Sequence, residues 1–183
     1  YGADGYFHGQ SLHREITHVP LITHYNKDLT ERVSSNLSTT DLFPTILNVA
    51  GIEIPWYVVN KSIFGSNGDL SIRDSDVFST IEYHNIRDKE LWDYSLISRD
   101  KKVISWDHGN KFKIYDLKED PLERKDVVDL ENKEHKSLIS KLKSLVQDQK
   151  ELSVEFDKEY GPPISRDSTD QDVETLQALG YLH

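Results

Sequence analysis

Residues 77–117 constrain the fold more than any other part of the chain. Four stretches with strand character follow one another there: Val77–Tyr83, Tyr94–Arg99, Lys101–Trp106 and Lys111–Leu117. The last alternates Phe112, Ile114 and, less strictly, Tyr115. "RDKK" and "DHGN" have the composition of hairpin turns, the second with His108, Gly109 and Asn110 to supply positive φ. Consecutive strands joined by such short turns predict a small antiparallel sheet. A long amphipathic segment follows, about Asn132–Phe156. Leu138, Leu142, Leu145, Leu152 and Phe156 share one face, interrupted by Gln149. That face is expected to lie across the sheet, which makes the chain mixed α/β.

Before the sheet, "STTDLFPTILNVAGI" (Ser38–Ile52) predicts a helix. Ser38, Thr39 and Thr40 offer N-caps, Asp41 suits the positive end of the dipole, and Gly51 suits the residue after the helix. Leu42, Ile46, Val49 and Ala50 form a stripe widened by Phe43 and Leu47, so burial on nearly all sides is expected. Thr17–Tyr25, "THVPLITHY", reads as a short buried strand with Pro20 near its start. Between Ile52 and Asp76, Pro55, Gly65 and Gly68 mark a crossover from one layer to another. After "YGPPISRDSTD" a short terminal helix is expected, capped by Thr169 or Asp170, striped by Val173, Leu176 and Leu179 and stopped by Gly180.

Charge and composition narrow the function. The net charge of −10 opposes a phosphate backbone, so nucleic acid is not expected as a partner. The absence of cysteine from the 183 residues excludes a disulfide, a thiolate zinc site and a cysteine nucleophile within them. No apolar run reaches the roughly 20 residues that cross a bilayer, so no membrane segment is expected in this chain. The chain opens on Tyr1 and holds no methionine, which reads as part of a longer chain or a processed form.

The residues themselves show no complete catalytic set: no G-x-S-x-G, Walker loop or H-E-x-x-H occurs. His8, His13 and His18 recur at intervals of five, which fits neither a helical nor a strand metal site. His13 and His18 read as partly exposed loop or strand-edge residues. His8 lies between Gly5 and Gly9, and glycine lets a backbone pass close to a ligand. "EYHN" (Glu82–Asn85) reads as a strand end, and the carboxylates of "DLKEDPLERKD" as a solvated turn. Asn36-Leu37-Ser38 and Asn60-Lys61-Ser62 are glycosylation triplets of a kind that arise often by chance.

Four blocks in order, "HGQSL…VPLI", "STTDLFPTILNVAGI", "IYDLKEDPLERKDV" and "LQALGYL", resemble the C-terminal part of sulfatases, members of the alkaline phosphatase-like superfamily. The resemblance implies that residues 1–51 end a large α/β domain and that 52–183 form a C-terminal subdomain of antiparallel sheet plus helices. It implies a hydrolase of sulfate esters whose nucleophile, a formylglycine, and whose calcium ligands lie upstream. No metal ligand is then expected within this chain, and the chain alone would be inactive. The expected partners are a sulfate-ester substrate and the rest of its own large domain. One active-site residue is implied here: His8, as sulfate contact or general acid. His13, Arg14 and His18 depart from the usual Tyr, Glu and Arg, changes expected to shape the loop and its packing. A phosphoryl or phosphonate ester hydrolase of the same superfamily is the alternative enzyme, and a non-catalytic binding module the alternative of another class.

Overall fold

The period of two along a strand decides which side chains meet. In the computed structural model, which describes residues 11–24, 32–65, 69–71, 76–84, 90–107 and 109–161, the expected strands form one antiparallel sheet. Its strands are β1 (Val77–His84), β2 (Glu90–Ser98), β3 (Lys101–Trp106) and β4 (Lys111–Asp116), in the order β1-β2-β3-β4. Phe78 stands opposite Leu96, Leu96 opposite Val103, and Val103 opposite Ile114. One apolar row therefore crosses all four strands. The neighbouring row, on the other face, runs Val77, Ile97, Lys102 and Tyr115.

The helix α3 (Lys133–Tyr160) covers the first face with the part that carries Leu138 to Val146. Asn132 begins it, its Oδ1 accepting from the N–H of Glu134 at 2.8 Å and of His135 at 3.3 Å, which satisfies two of the donors a helix start leaves open. Leu138, Ile139 and Leu142 then bury against Leu96, Val103 and Ile114, with Phe78, Tyr94 and Phe112 around them. Each such side chain is worth roughly 1.5–3 kcal/mol when fully buried. The predicted stripe gains Ile139 and, at its margin, Val146. The chain divides into two compact units, Tyr1–Gln149 and Lys150–His183. In the second, the rings of Phe156 and Tyr160 lie 4.7 Å apart, and Gly161 takes φ +86° just after the helix. The expected terminal helix from Thr169 to Gly180 lies outside the described residues.

Side chains take over from the ladder where it stops. The β2–β3 pairing runs from Ser98↔Lys101 to Ser95↔Ile104. Next to it, Ser105 Oγ accepts the Tyr94 N–H at 2.8 Å and donates to the Tyr94 carbonyl at 3.2 Å. The outer edge of β4 is closed as well: Asp126 Oδ1 accepts the Ile114 N–H at 3.0 Å, and the Val127 N–H reaches the Ile114 carbonyl at 2.8 Å. Such closure removes a template for unwanted strand pairing. At the two turns positive φ falls on Arg99 and on Asp107 and Gly109. Asn110 is not among the positive-φ residues, and His108 lies outside the described ones.

Two expectations about the first third of the chain are corrected. The helix over Ser38–Ile52 forms, as a 3₁₀ turn (Thr39–Asp41) running into α2 (Leu42–Val49). Ser38 and Asp41 build a capping box, and Gly51 takes φ +69°. Its buried residues, however, are Pro44 and Thr45, while Ile46 is 65% exposed and Phe43 and Val49 also face outward. Hydrogen bonding explains which side turned in. Thr45 Oγ1 accepts the Ile63 N–H at 3.0 Å, Asn48 Nδ2 donates to the Phe64 carbonyl at 2.9 Å, and Asn60 Nδ2 donates to Asp41 Oδ1 at 2.9 Å. The polar face of α2 thus clasps residues 60–64. Likewise, of the buried strand expected over Thr17–Tyr25, the described part, Thr17–His24, forms none. Arg14–Thr17 is the short helix α1, and residues 18–24 form no regular element, with Ile22 93% exposed. A strand needs a ladder partner, and among the described residues none pairs with this segment.

Two outcomes are expected. Leu142→Ala should destabilise the protein by about 3 kcal/mol in urea titrations, since it opens a cavity between helix and sheet. The Lys101 ammonium and then the Glu119 N–H hold the Asp116 carboxyl below its ordinary value of 3.8. Its contribution is therefore complete above the unfolded value and is lost as the pH falls through the lower folded one. Asp116→Asn should flatten the fall in Tm as the pH drops below the ordinary carboxylate value, followed by circular dichroism.

Candidate functional site

His8, the one catalytic candidate, lies outside the described residues, as does Gly9. The described chain resumes at Ser11, so what the structure gives is the seat of the segment that follows His8. That seat is the second face of the sheet. Leu12 packs with Ile104 and Tyr115 in a small buried cluster, flanked by Ile81 and Leu117. The residues of the first motif block therefore rest on those of the third.

His13 corrects the expectation of a partly exposed loop histidine. It is 6% exposed, and its ring meets the Tyr115 ring edge-on at 5.5 Å. Its Nε2 is 3.1 Å from the Tyr115 hydroxyl, and its Nδ1 is 2.8 Å from Ser11 Oγ. Ser11 Oγ also accepts the His13 N–H at 3.1 Å, so the serine is tied to both the backbone and the ring of His13. The histidine joins residues 102 positions apart; the sequence offered only its neighbours. His18 is exposed as expected, its Nε2 lying 3.3 Å from Arg14 Nη2.

Beside His13 lies an ion pair that the sequence reading missed. Lys102 projects from β3 and Glu123 from the turn after β4; their side chains are 1% and 2% exposed. Lys102 Nζ is 2.9 Å from Glu123 Oε1 and 3.1 Å from Oε2. Glu123 Oε2 also accepts the Arg14 N–H at 3.1 Å. Burial pushes the Lys102 ammonium below the ordinary lysine value, opposed by the Glu123 carboxylate. The sequence places Glu123 in a polar turn, Asp120-Pro121-Leu122-Glu123, where a glutamate is expected to be solvated. Its φ of +54° turns it inward, into a left-handed conformation that strains a residue with a Cβ by about 1–2 kcal/mol. The available signal was Lys102, a lysine in a strand and followed directly by Val103 and Ile104.

The remaining candidates do not converge on this seat. The side chains of Glu82–Asn85 lie outside the described residues. Asn36 Nδ2 donates to the Arg99 carbonyl at 3.4 Å, and Asn60 is engaged by Asp41. Both border an open groove of about 1320 Å³, lined by Arg14, Lys61, Arg99 and Lys141 together with Asp41, Asp76 and Asp100. Mixed charge of that kind does not select an anion. Among the described residues no three histidine, aspartate, glutamate or cysteine side chains gather as metal ligands, so these residues do not fit a calcium ion. Among the same residues no helix is long and apolar enough to cross a membrane.

Known proteins match along most of this chain. A family model described as N-sulphoglucosamine sulphohydrolase, C-terminal, matches residues 2–152. Arylsulfatase K of Xenopus laevis is 25% identical over 150 residues, 76% of this chain and 28% of that protein. Arylsulfatase K of Bos taurus is 26% identical over 150 residues, again 76% of this chain and 27% of that protein. The chain thus spans 28% and 27% of the length of these curated relatives. A solved structure of a protein in complex with its substrate D-glucosamine-2-N,6-O-disulfate aligns with a TM-score of 0.47 and 23% identity, over 61% of this chain and 24% of that one.

Tyr115→Phe should lower stability by about 1–3 kcal/mol, because it removes a buried hydrogen bond to the His13 ring. Adding His13→Phe should return part of that loss, the polar demand having gone with the imidazole; a double-mutant cycle by denaturant titration checks the coupling.

Proposed function

Because this chain belongs to the N-sulphoglucosamine sulphohydrolase C-terminal family, and is a C-terminal region of a sulfatase, we propose that it completes a hydrolase that cleaves sulfate esters and that His8 faces the sulfate. The observation that supports the reading is the meeting of the two motif blocks. Leu12, His13 and Arg14, which follow His8, are held by Tyr115 and Glu123 of the third block. A loop whose base is held by buried contacts can keep a side chain in place against a substrate, as preorganised catalysis requires.

In this reading residues 1–51 end the large α/β domain and 52–183 make the smaller C-terminal subdomain. The exposed apolar side chains of the first part, among them Val19, Leu21, Ile22, Phe43 and Ile46, are then the surface that meets the rest of the large domain. The nucleophile, a formylglycine, and the calcium ion belong to that remainder; together they would supply the attacking oxygen and an electrophilic hold on the sulfate. His8 serves the other side of the reaction. An imidazole N–H pointed at the ester stabilises charge growing on sulfate and leaving oxygens as the S–O bond breaks. In its protonated form it can pass that proton to the leaving oxygen.

His8→Ala in the complete enzyme tests the assignment. Loss of roughly 10²–10⁴-fold in kcat/KM for a sulfate ester is expected of a general acid. A loss of only a few-fold would remove His8 from the chemistry.

A further inference from the structure

The Lys102–Glu123 pair does more than an ion pair kept for stability requires. Buried pairs of opposite charge are often replaceable by apolar residues of similar volume without loss of stability. This one has a third member. Glu123 Oε2 holds the Arg14 N–H, and Lys102 Nζ lies within 3.5 Å of Thr17 Oγ1. The pair therefore touches α1 at its first residue and at its last. On the other side it is fixed by β3 and by the turn after β4, whose Glu123 N–H is bonded to the Asp120 carbonyl at 3.1 Å. Glu123 reaches this place only by taking φ +54°. Strained backbone of this sort persists where the surroundings over-determine it, and it clusters at functional sites. A surface glutamate in a polar turn would have no need of it.

We infer that Glu123 and Lys102 are positioning residues: they set the Ser11–Thr17 turn on the sheet and, through it, the position of His8 in the residues just before it. The inference rests on the reading of His8 given above. Neither residue is a catalytic residue, since each acts through α1, Glu123 at the Arg14 N–H and Lys102 at the Thr17 hydroxyl. The carboxylate supplies the acceptor for Arg14, and the ammonium keeps that carboxylate aimed. His13 and Tyr115 hold the same turn from its other side, so removing the pair loosens the turn without releasing it. Small misplacements of a reacting group are expensive in rate: about 1 Å can cost on the order of 10²-fold.

The experiment uses the complete enzyme and p-nitrophenyl sulfate. The first variant, Lys102→Met with Glu123→Met, removes both charges together, so that no unpaired ion is left buried. The second, Glu123→Asp, keeps the charge for Lys102 but withdraws the acceptor from Arg14. Each is made alone and with His8→Ala, and Tm and kcat/KM are measured for all. The expected result is a Tm close to wild type for the double methionine variant and a fall in kcat/KM on the order of 10²-fold. The fall should appear mainly in kcat and vanish in the His8→Ala background, where there is no imidazole left to misplace. Glu123→Asp should show the same masking, and it decides the matter alone if the double variant does not fold. Wild-type kcat/KM in a folded variant overturns the inference, and so does a loss that multiplies with that of His8→Ala. A small effect of His8→Ala alone would instead bring down the reading of His8 itself.

Discussion

Burial of Leu96, Val103 and Ile114 beneath α3 sets the register of the sheet, because slipping a strand by one residue exchanges its two faces. The same register turns Lys102, Ile104 and Tyr115 to the opposite side, where Leu12 and His13 find them. β3 is consequently buried on both faces over Lys102–Ser105. Nothing about the seat of α1 is local. It exists because a helix about 120 residues further along the chain holds the other surface of the same strands.

The sheet and the long helix were legible in the sequence because their signals are periodic and local. Alternation in Lys111–Leu117, glycine and aspartate at the turns, and leucines spaced along Asn132–Phe156 each report the element they belong to. The first third was less legible for a physical reason. Apolar spacing marks the side of a helix that prefers burial, yet it says nothing of whether a partner is there. In α2 the polar side found one first: Thr45, Asn48 and Asp41 have donors and acceptors in residues 60–64 to satisfy. "HVPLI" has the residues of a strand but no neighbour among the described residues, and a strand is not a property of one segment.

The seat was legible only through the resemblance, and then only as blocks in order. His13 looked like a loop histidine because its partner, Tyr115, is 102 residues away. Glu123 looked solvated because composition cannot reveal a positive φ. Lys102 was the better clue, since an inward lysine in a strand must find a counter-charge or lose its own. What the motif blocks encode is therefore contact between distant segments, with His13 and Glu123 as the points of attachment. The chemistry they serve is a separate matter from the packing that brings them together.

The left-handed backbone of Glu123 has an evolutionary consequence. Glycine at this position would relax the chain, and asparagine would tolerate it better than glutamate does. Neither can reach both Lys102 and Arg14. A lineage that gives up the glutamate strands a lysine in the interior, and one that gives up the lysine strands a carboxylate. Each single step is uphill, so the two positions are free to drift only as a couple. The turn that looks most like variable surface in the sequence is in this sense among the least free parts of the chain.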